Sequence, residues 1–247
     1  MENIKMLLND FGKSKKGVEM PTIGIIGDTH LPFELEGYLS HCVSIFDIYE
    51  VDVVVHIGDF LDQHALSYHE HDPNGMSAEH EAIAARPKVI EWVRAFPEAL
   101  WVAGNHDDLP YRKARTHGLP SRYMADYPSI LDVPCLKNWR YSEEHEVDGI
   151  IFRHGLGATG KYGHRNAAEK MNCNVVQGHS HTIAGIEFMA SKNHRHWGMS
   201  VGCGVDRKAY AAHYGRHIVS KPFISCAIIS DDVPMIFPMD LGSKFRR

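Results

Sequence analysis

The chain has little of what marks a secreted or membrane protein. It has only five cysteines in 247 residues, Cys42, Cys135, Cys173, Cys203 and Cys226. Their number is odd, their spacing is wide and no CxxC pair occurs, so no disulfide framework is written into the sequence, and the pattern suits reduced thiols in a cytoplasmic protein. No apolar run approaches the ~20 residues of a membrane span. The opening MENIKMLLNDFGKSKKG lacks the apolar core of a signal peptide. Positive charge is not in excess either. The net charge is −5, which gives no global electrostatic case for nucleic acid or an anionic membrane, although a local basic groove stays open. No GxGxxG or Walker loop occurs. There is no internal repeat, low-complexity block or linker. A solvated basic lead-in over residues 1–20 followed by one domain over residues 21–247 is therefore the expected organisation.

Histidine, by contrast, is abundant: there are 18, and imidazole is both the commonest transition-metal ligand and the usual acid or base near neutrality. Several apolar runs end in a glycine followed by such residues. Thr22 to Ile26 reads as a buried strand. Leu39, Val43 and Phe46 then fall at helical spacing, and Val51 to Ile57 is a second β-branched run, giving a βαβ unit. A helix is expected with Ile90, Val93 and Phe96 on one face, followed by a strand over residues 100–103. Residues 107–145 are rich in Tyr, Arg and Pro and read as irregular, a lid or substrate-facing insert. Residues 150–152 and 174–176 read as further strands, and the C-terminal part as β-rich.

The five strand ends carry Gly27-Asp28-Thr29-His30, Gly58-Asp59, Gly104-Asn105-His106-Asp107, His154-Gly155 and Gly178-His179-Ser180-His181. Singly, each has an ordinary structural use: an Asx turn, a helix cap, a surface histidine. In this order, at the ends of successive strands, they describe ligands that converge on one sheet edge. Mixed Asp, His and Asn donors fit borderline divalent ions such as Mn, Fe or Zn, whereas an all-oxygen set would favour Mg or Ca. Two such ions about 3.5–4 Å apart can share a hydroxide and clamp the oxygens of a phosphoryl group during in-line displacement. A bridging carboxylate is needed, and Asp59 is placed for it.

The pattern DxH, GD, GNH[DE], H and GHxH over residues 28–181 resembles the calcineurin-like metallophosphoesterase superfamily. The resemblance implies an α/β fold, a four-layer double β-sheet sandwich flanked by helices. It assigns Asp28, His30 and His181 to one ion and Asn105, His154 and His179 to the other, with Asp59 between them. It makes His106 a catalytic histidine that is not a ligand and that can protonate the leaving oxygen or stabilise the transition state. Asp62, three residues after Asp59, would orient His106.

The departures narrow the substrate. Ser/Thr protein phosphatases that resemble this family carry GDxxDRG, and here the run is Gly58-Asp59-Phe60-Leu61-Asp62-Gln63-His64, without the phosphate-binding Arg. A phosphoprotein substrate is therefore disfavoured. GNHD is closer to the phosphodiesterase, nucleotidase and repair-nuclease branches. The expected activity is hydrolysis of a phosphodiester or phosphomonoester of a small or nucleotide-like substrate. A DNA or RNA nuclease is the alternative, and a non-catalytic binding scaffold a further one. Arg112 and Arg153 are candidates for a phosphate clamp, because guanidinium matches phosphate bidentately. Asp107 and Asp108 are read as capping or turning the following loop. His69-Glu70-His71 and His194-Arg195-His196 have HxH spacing but fill no slot in the pattern.

Overall fold

Short β-branched runs can form strands buried on both faces only if other layers cover them. A computed structural model of the chain describes residues 20–68, 74–206, 208 and 221–242. In the first sheet, β1 (Ile23–Ile26), β2 (Val53–His56), β3 (Ala99–Val102) and β4 (Trp139–Ser142) run parallel. β10 (Ser225–Ser230) and β11 (Val233–Pro238) extend it antiparallel on the β1 side, giving the order β11-β10-β1-β2-β3-β4. The second sheet has the order β5-β6-β7-β9-β8, built from β5 (Glu144–Val147), β6 (Ile150–Arg153), β7 (Asn174–Gln177), β8 (Ala184–Ala190) and β9 (Arg195–Val201). Its central strands β6, β7 and β9 are parallel, and its two edge strands antiparallel.

The strand pleat decides what lies between the sheets. Ile23, Ile25, Val55, Ile57, Leu100 and Val102 from the first sheet pack with Ile150, Phe152, Val176, Met199 and Val201 from the second. Each such large apolar side chain, fully buried, contributes roughly 1.5–3 kcal/mol. The alternate residues of the first sheet meet helices. Tyr38, Cys42 and Phe46 of α1 (Tyr38–Ile48) and Val89, Trp92 and Val93 of α2 (Ala78–Ala95) form that outer core. On the second sheet, Ala167 and Ala168 of α5 (Gly163–Met171) pack with Val175. Helices flanking two stacked sheets are the four-layer arrangement expected from the sequence.

One expectation is corrected. Residues 107–145 are not irregular: they contain α3 (Leu109–Thr116), α4 (Tyr127–Ile130), 3-10 turns and strand β4. Both helices are short and carry Pro in the first turn, so no helical period develops in the sequence. The segment also places Tyr127, Leu131, Val133, Leu136 and Trp139 in the core. Strand β8 was not legible, because it is an edge strand of mostly half-buried residues without clean alternation. Residues 1–19 of the expected lead-in and the run His69-Glu70-His71 lie outside the described residues. His194 precedes β9 and His196 is its second residue.

Candidate metal centre

All five motifs follow the C-terminal ends of parallel strands, β1, β2 and β3 in one sheet and β6 and β7 in the other, so their side chains meet at one edge of the sandwich. Two glycines show why the motifs begin as they do. A Cβ on Gly104 would meet the Asp59 amide nitrogen and carboxylate at 2.1 Å, and one on Gly178 would meet Asp28 Oδ1 at 2.2 Å. Only a bare backbone can come this close. The ligand-type residues themselves include three in left-handed backbone conformations, His30 (φ 49°), Asp59 (φ 50°) and His179 (φ 67°). Such strain costs of order 1 kcal/mol each and persists only where surroundings hold it.

The side chains fall into three clusters, one of them His30, Asp62 and His106, and the other two share one atom. Asp28, His30, Asp59 and His181 lie together, as do Asp59, His154 and His179. Asp59 Oδ2 is 3.4 Å from His30 Nε2 and 3.1 Å from His154 Nε2. In the first group, His181 Nε2 is 3.1 Å from both Asp28 Oδ2 and His30 Nε2. In the second, His154 Nε2 is 3.1 Å from Asn105 Oδ1 and 3.3 Å from His179 Nδ1. The structure therefore brings together all seven residues expected as ligands.

Outer hydrogen bonds aim the rings. His30 Nδ1 donates to Asp62 Oδ1 at 2.7 Å, and His154 Nδ1 donates to the Ile57 carbonyl at 3.0 Å. Each bond turns the ring's Nε2 lone pair into the cluster, the arrangement that orients a metal ligand. His106 is held on every side. Its amide donates to Asp59 Oδ1 at 2.8 Å, its Nδ1 to the Asp62 carbonyl at 2.5 Å, and its carbonyl accepts from Gln63 Nε2 at 3.0 Å.

The charge balance is that of a site built around cations. Burial opposes protonation of His154, but Asp59 and Asp28 outweigh it and lift its pKa to about 9. Burial would raise Asp59, yet His154 and His106 hold it well below the usual carboxylate range. A proton on His154 thus stands where a cation would relieve the same carboxylates. Asp28 Oδ1 is buried and has no hydrogen-bond partner among the described residues. An orphaned carboxylate oxygen, lone pairs converging from Asn105, His154 and His179, and a shared carboxylate fit two divalent ions.

Asp62 is placed differently from the expectation in one respect. Its carboxylate is closest to His30, at 2.7 Å, and 3.4 Å from His106 Nδ1, which is met more closely by the Asp62 carbonyl. The two arginines separate. Arg153 lines a cleft of about 580 Å³ beside His154 and Gly104, with Asp108, Tyr111, Tyr141, Glu143 and Glu144. Its Nη2 donates to the Leu156 carbonyl at 2.6 Å. Arg112 is exposed on α3, its guanidinium 5.3 Å from the centre of the Tyr68 ring, and is not among the cleft-lining residues.

Sequence reasoning undervalued three supports. Asp107, read as a loop cap, is fully buried and accepts from the amides of Leu61 (3.0 Å), Phe60 (3.3 Å) and Gly104 (3.0 Å) and from Trp101 Nε1 (3.1 Å), pinning the β3 loop to the β2 loop. Burial, and then Asp59, pushes its pKa up to about 7. Gln63, noted only as a missing Arg, reaches the Tyr127 hydroxyl at 2.8 Å as well as His106. Tyr127 in turn donates to the Asp107 carbonyl. The acidic residue ending GNHD was the one available signal; nothing in the sequence marked Gln63 or Tyr127.

A sequence model of the family described as calcineurin-like phosphoesterase matches residues 21–200. No curated protein matches the chain. Among solved structures, Vacuolar Protein Sorting 29 from Cryptosporidium parvum is similar, with 12% identity, a TM-score of 0.48 and coverage of 92% of this chain and 95% of that one. The phosphoesterase YfcE from E. coli gives 12% identity, a TM-score of 0.42 and coverage of 88% and 92%. A metallophosphoesterase from Sphaerobacter thermophilus gives 16%, 0.44, 89% and 88%. Likenesses this distant carry no argument about activity.

Proposed function

The chain belongs to the calcineurin-like phosphoesterase family, and on that premise we propose a binuclear metal-dependent phosphohydrolase acting on a phosphodiester or phosphomonoester of a small or nucleotide-like substrate. The observation that carries the reading is the sharing of Asp59 Oδ2 between two convergent ligand groups, with His106 fixed beside them.

Asp28, His30, Asp59 and His181 would hold one ion, and Asp59, Asn105, His154 and His179 the other, with Mn, Fe or Zn suited to this donor set. Two such ions, when bound, supply a nucleophile at neutral pH and neutralise charge on the phosphoryl oxygens. The chain's own groups do the rest. The ring of His106 is locked through Nδ1, so Nε2 is the atom from which a proton passes to the leaving oxygen as the bond from phosphorus to that oxygen breaks. Asp62 fixes this geometry through its carbonyl and steadies His30 through its carboxylate. Arg153 is the better placed of the two arginines to meet a phosphoryl oxygen, since it lines the cleft next to His154.

The cleft favours a small substrate over a nucleic acid strand. Asp108, Glu143 and Glu144 outnumber Arg153 along it, and carboxylates repel a polyanion. Among the described residues no helix is long and apolar enough to cross a membrane. The five free cysteines support a reducing, cytoplasmic setting. The test is hydrolysis of chromogenic phosphomonoesters and phosphodiesters, cyclic nucleotides and oligonucleotides by protein of measured metal content. Turnover of small esters with Mn, Fe or Zn is expected. A folded, metal-loaded protein inert toward the whole panel would overturn the reading, and cleavage of oligonucleotides alone would replace it with the nuclease.

A further inference from the structure

Resting on that reading of His106, we infer that Glu81, a residue of α2 outside all five motifs, is a positioning residue for the catalytic histidine. Glu81 is buried, at 4% exposure. Its Oε1 accepts from the His64 amide at 3.1 Å and its Oε2 from the Ala65 amide at 3.3 Å. The carboxylate therefore grips the 3-10 turn His64–Leu66 that directly follows Asp62 and Gln63. Those two residues hold His106 together with Asp59, Asp62 through its carbonyl on Nδ1 and Gln63 through its amide on the His106 carbonyl.

Behind the turn lies a cavity of about 220 Å³ between Leu31, Leu61 and Leu66 on the loop side and Ala82 and Ala85 on α2, with Glu81 on its wall. The turn is held by these hydrogen bonds as well as by packing, His64 itself being buried. Gln63 adds a reason for a tether, since it sits in a left-handed conformation at φ 50° that surrounding structure must maintain. A carboxyl group whose two oxygens accept from neighbouring backbone amides is a directional clamp. The order of dependence runs from α2 to the turn, from the turn to Asp62 and Gln63, and from these to the direction of His106 Nε2.

The experiment is a double-mutant cycle on the metal-loaded protein with Glu81→Leu, which keeps volume and removes both acceptors, and His106→Ala. Glu81→Leu alone, compared at matched metal content, is expected to lower kcat about 10- to 100-fold, the scale of a misplaced catalytic group, with KM unchanged. The same substitution made in the His106→Ala background should cost nothing further. Glu81→Gln, which keeps one acceptor and the shape, should recover most of the activity. A parallel readout is the 15N imidazole spectrum of His106, whose Nδ1 resonance should shift or broaden in Glu81→Leu and return in Glu81→Gln. Full activity in Glu81→Leu, equal losses in both backgrounds, or an unmoved His106 resonance would overturn the inference. If the unaltered protein hydrolyses nothing, the proposed function fails, and the imidazole spectrum still decides the role of Glu81.

Discussion

The half of the centre built on the first sheet differs from the half built on the second in how it is held. Asp28, His30, Asp59, Asp62, His106 and Asp107 are all buried, with Asn105 half-buried, and a dense set of bonds through Asp107, Gln63 and Tyr127 ties their loops to one another. On the second sheet only His154 is equally buried, and His179 and His181 are half-buried. Their fixings reach back to the first half: the His179 amide donates to Asp28 Oδ2 at 2.8 Å and His154 Nδ1 to the Ile57 carbonyl. The first half is a preorganised frame, and the second closes onto it. Groups that must direct a proton need the frame, whereas ligands that need only meet an ion can sit on a more open loop.

The largest effect expected is at the atom common to both halves. Asp59→Ala should abolish binding of both ions and with them turnover, read by metal analysis after gel filtration; retention of either ion at full occupancy would break the idea of a shared carboxylate. His106→Ala comes next, lowering kcat about 10²–10⁴-fold as loss of a general acid does while leaving two ions bound. Third, the halves should separate when each is weakened. Asp62→Asn should reduce metal affinity about 10- to 100-fold, as loss of an outer-shell partner does, and should also lower the melting temperature of metal-free protein. His181→Ala should cost one ion but leave that metal-free melting temperature unchanged. Equal melting behaviour in the two variants would remove the asymmetry.

A smaller effect concerns pH. Burial, with Asp62 adding to it, raises the Glu81 carboxyl to about 7, so the folded protein binds a proton there that the unfolded chain releases at lower pH. The stability from that protonated form is full below about 4.5 and is lost as pH rises through about 7. Urea unfolding of metal-free protein at pH 5 and pH 8 should therefore show a loss that Glu81→Gln reduces; an identical slope in both proteins would count against the raised carboxyl. The smallest effect is at the arginines. Arg153→Ala should raise KM several-fold, while Arg112→Ala should leave kcat and KM within about twofold, because a surface contact with a tyrosine ring is worth about 0.5–1 kcal/mol at most. A KM effect from Arg112→Ala would place a phosphate clamp on α3.

Much of this was legible in the residues. A ligand-bearing strand end announces itself by a β-branched run, a glycine and a polar side chain, so β1, β2, β3, β6 and β7 and their donors could be read one after another. The supports could not. Asp107 and Gln63 act across loops more than 40 positions apart in the chain, and Tyr127 comes from a segment whose short, proline-started helices carry no period. Pairings of that kind arise when strands are laid side by side, and spacing along the chain carries no trace of them.

By itself, then, the sequence determined the family of chemistry: which side chains donate, in what order, and behind which glycines, because strand-end motifs are local and their spacing survives in one dimension. The tertiary structure alone decided the sharing of Asp59, the aiming of His30, His154 and His106 by their outer bonds, the separation of Arg153 from Arg112, and the grip of Glu81 on the Asp62 turn. Each of these depends on two sheets and a helix meeting at one edge, and distances between residues remote in sequence are set only when the core between them closes.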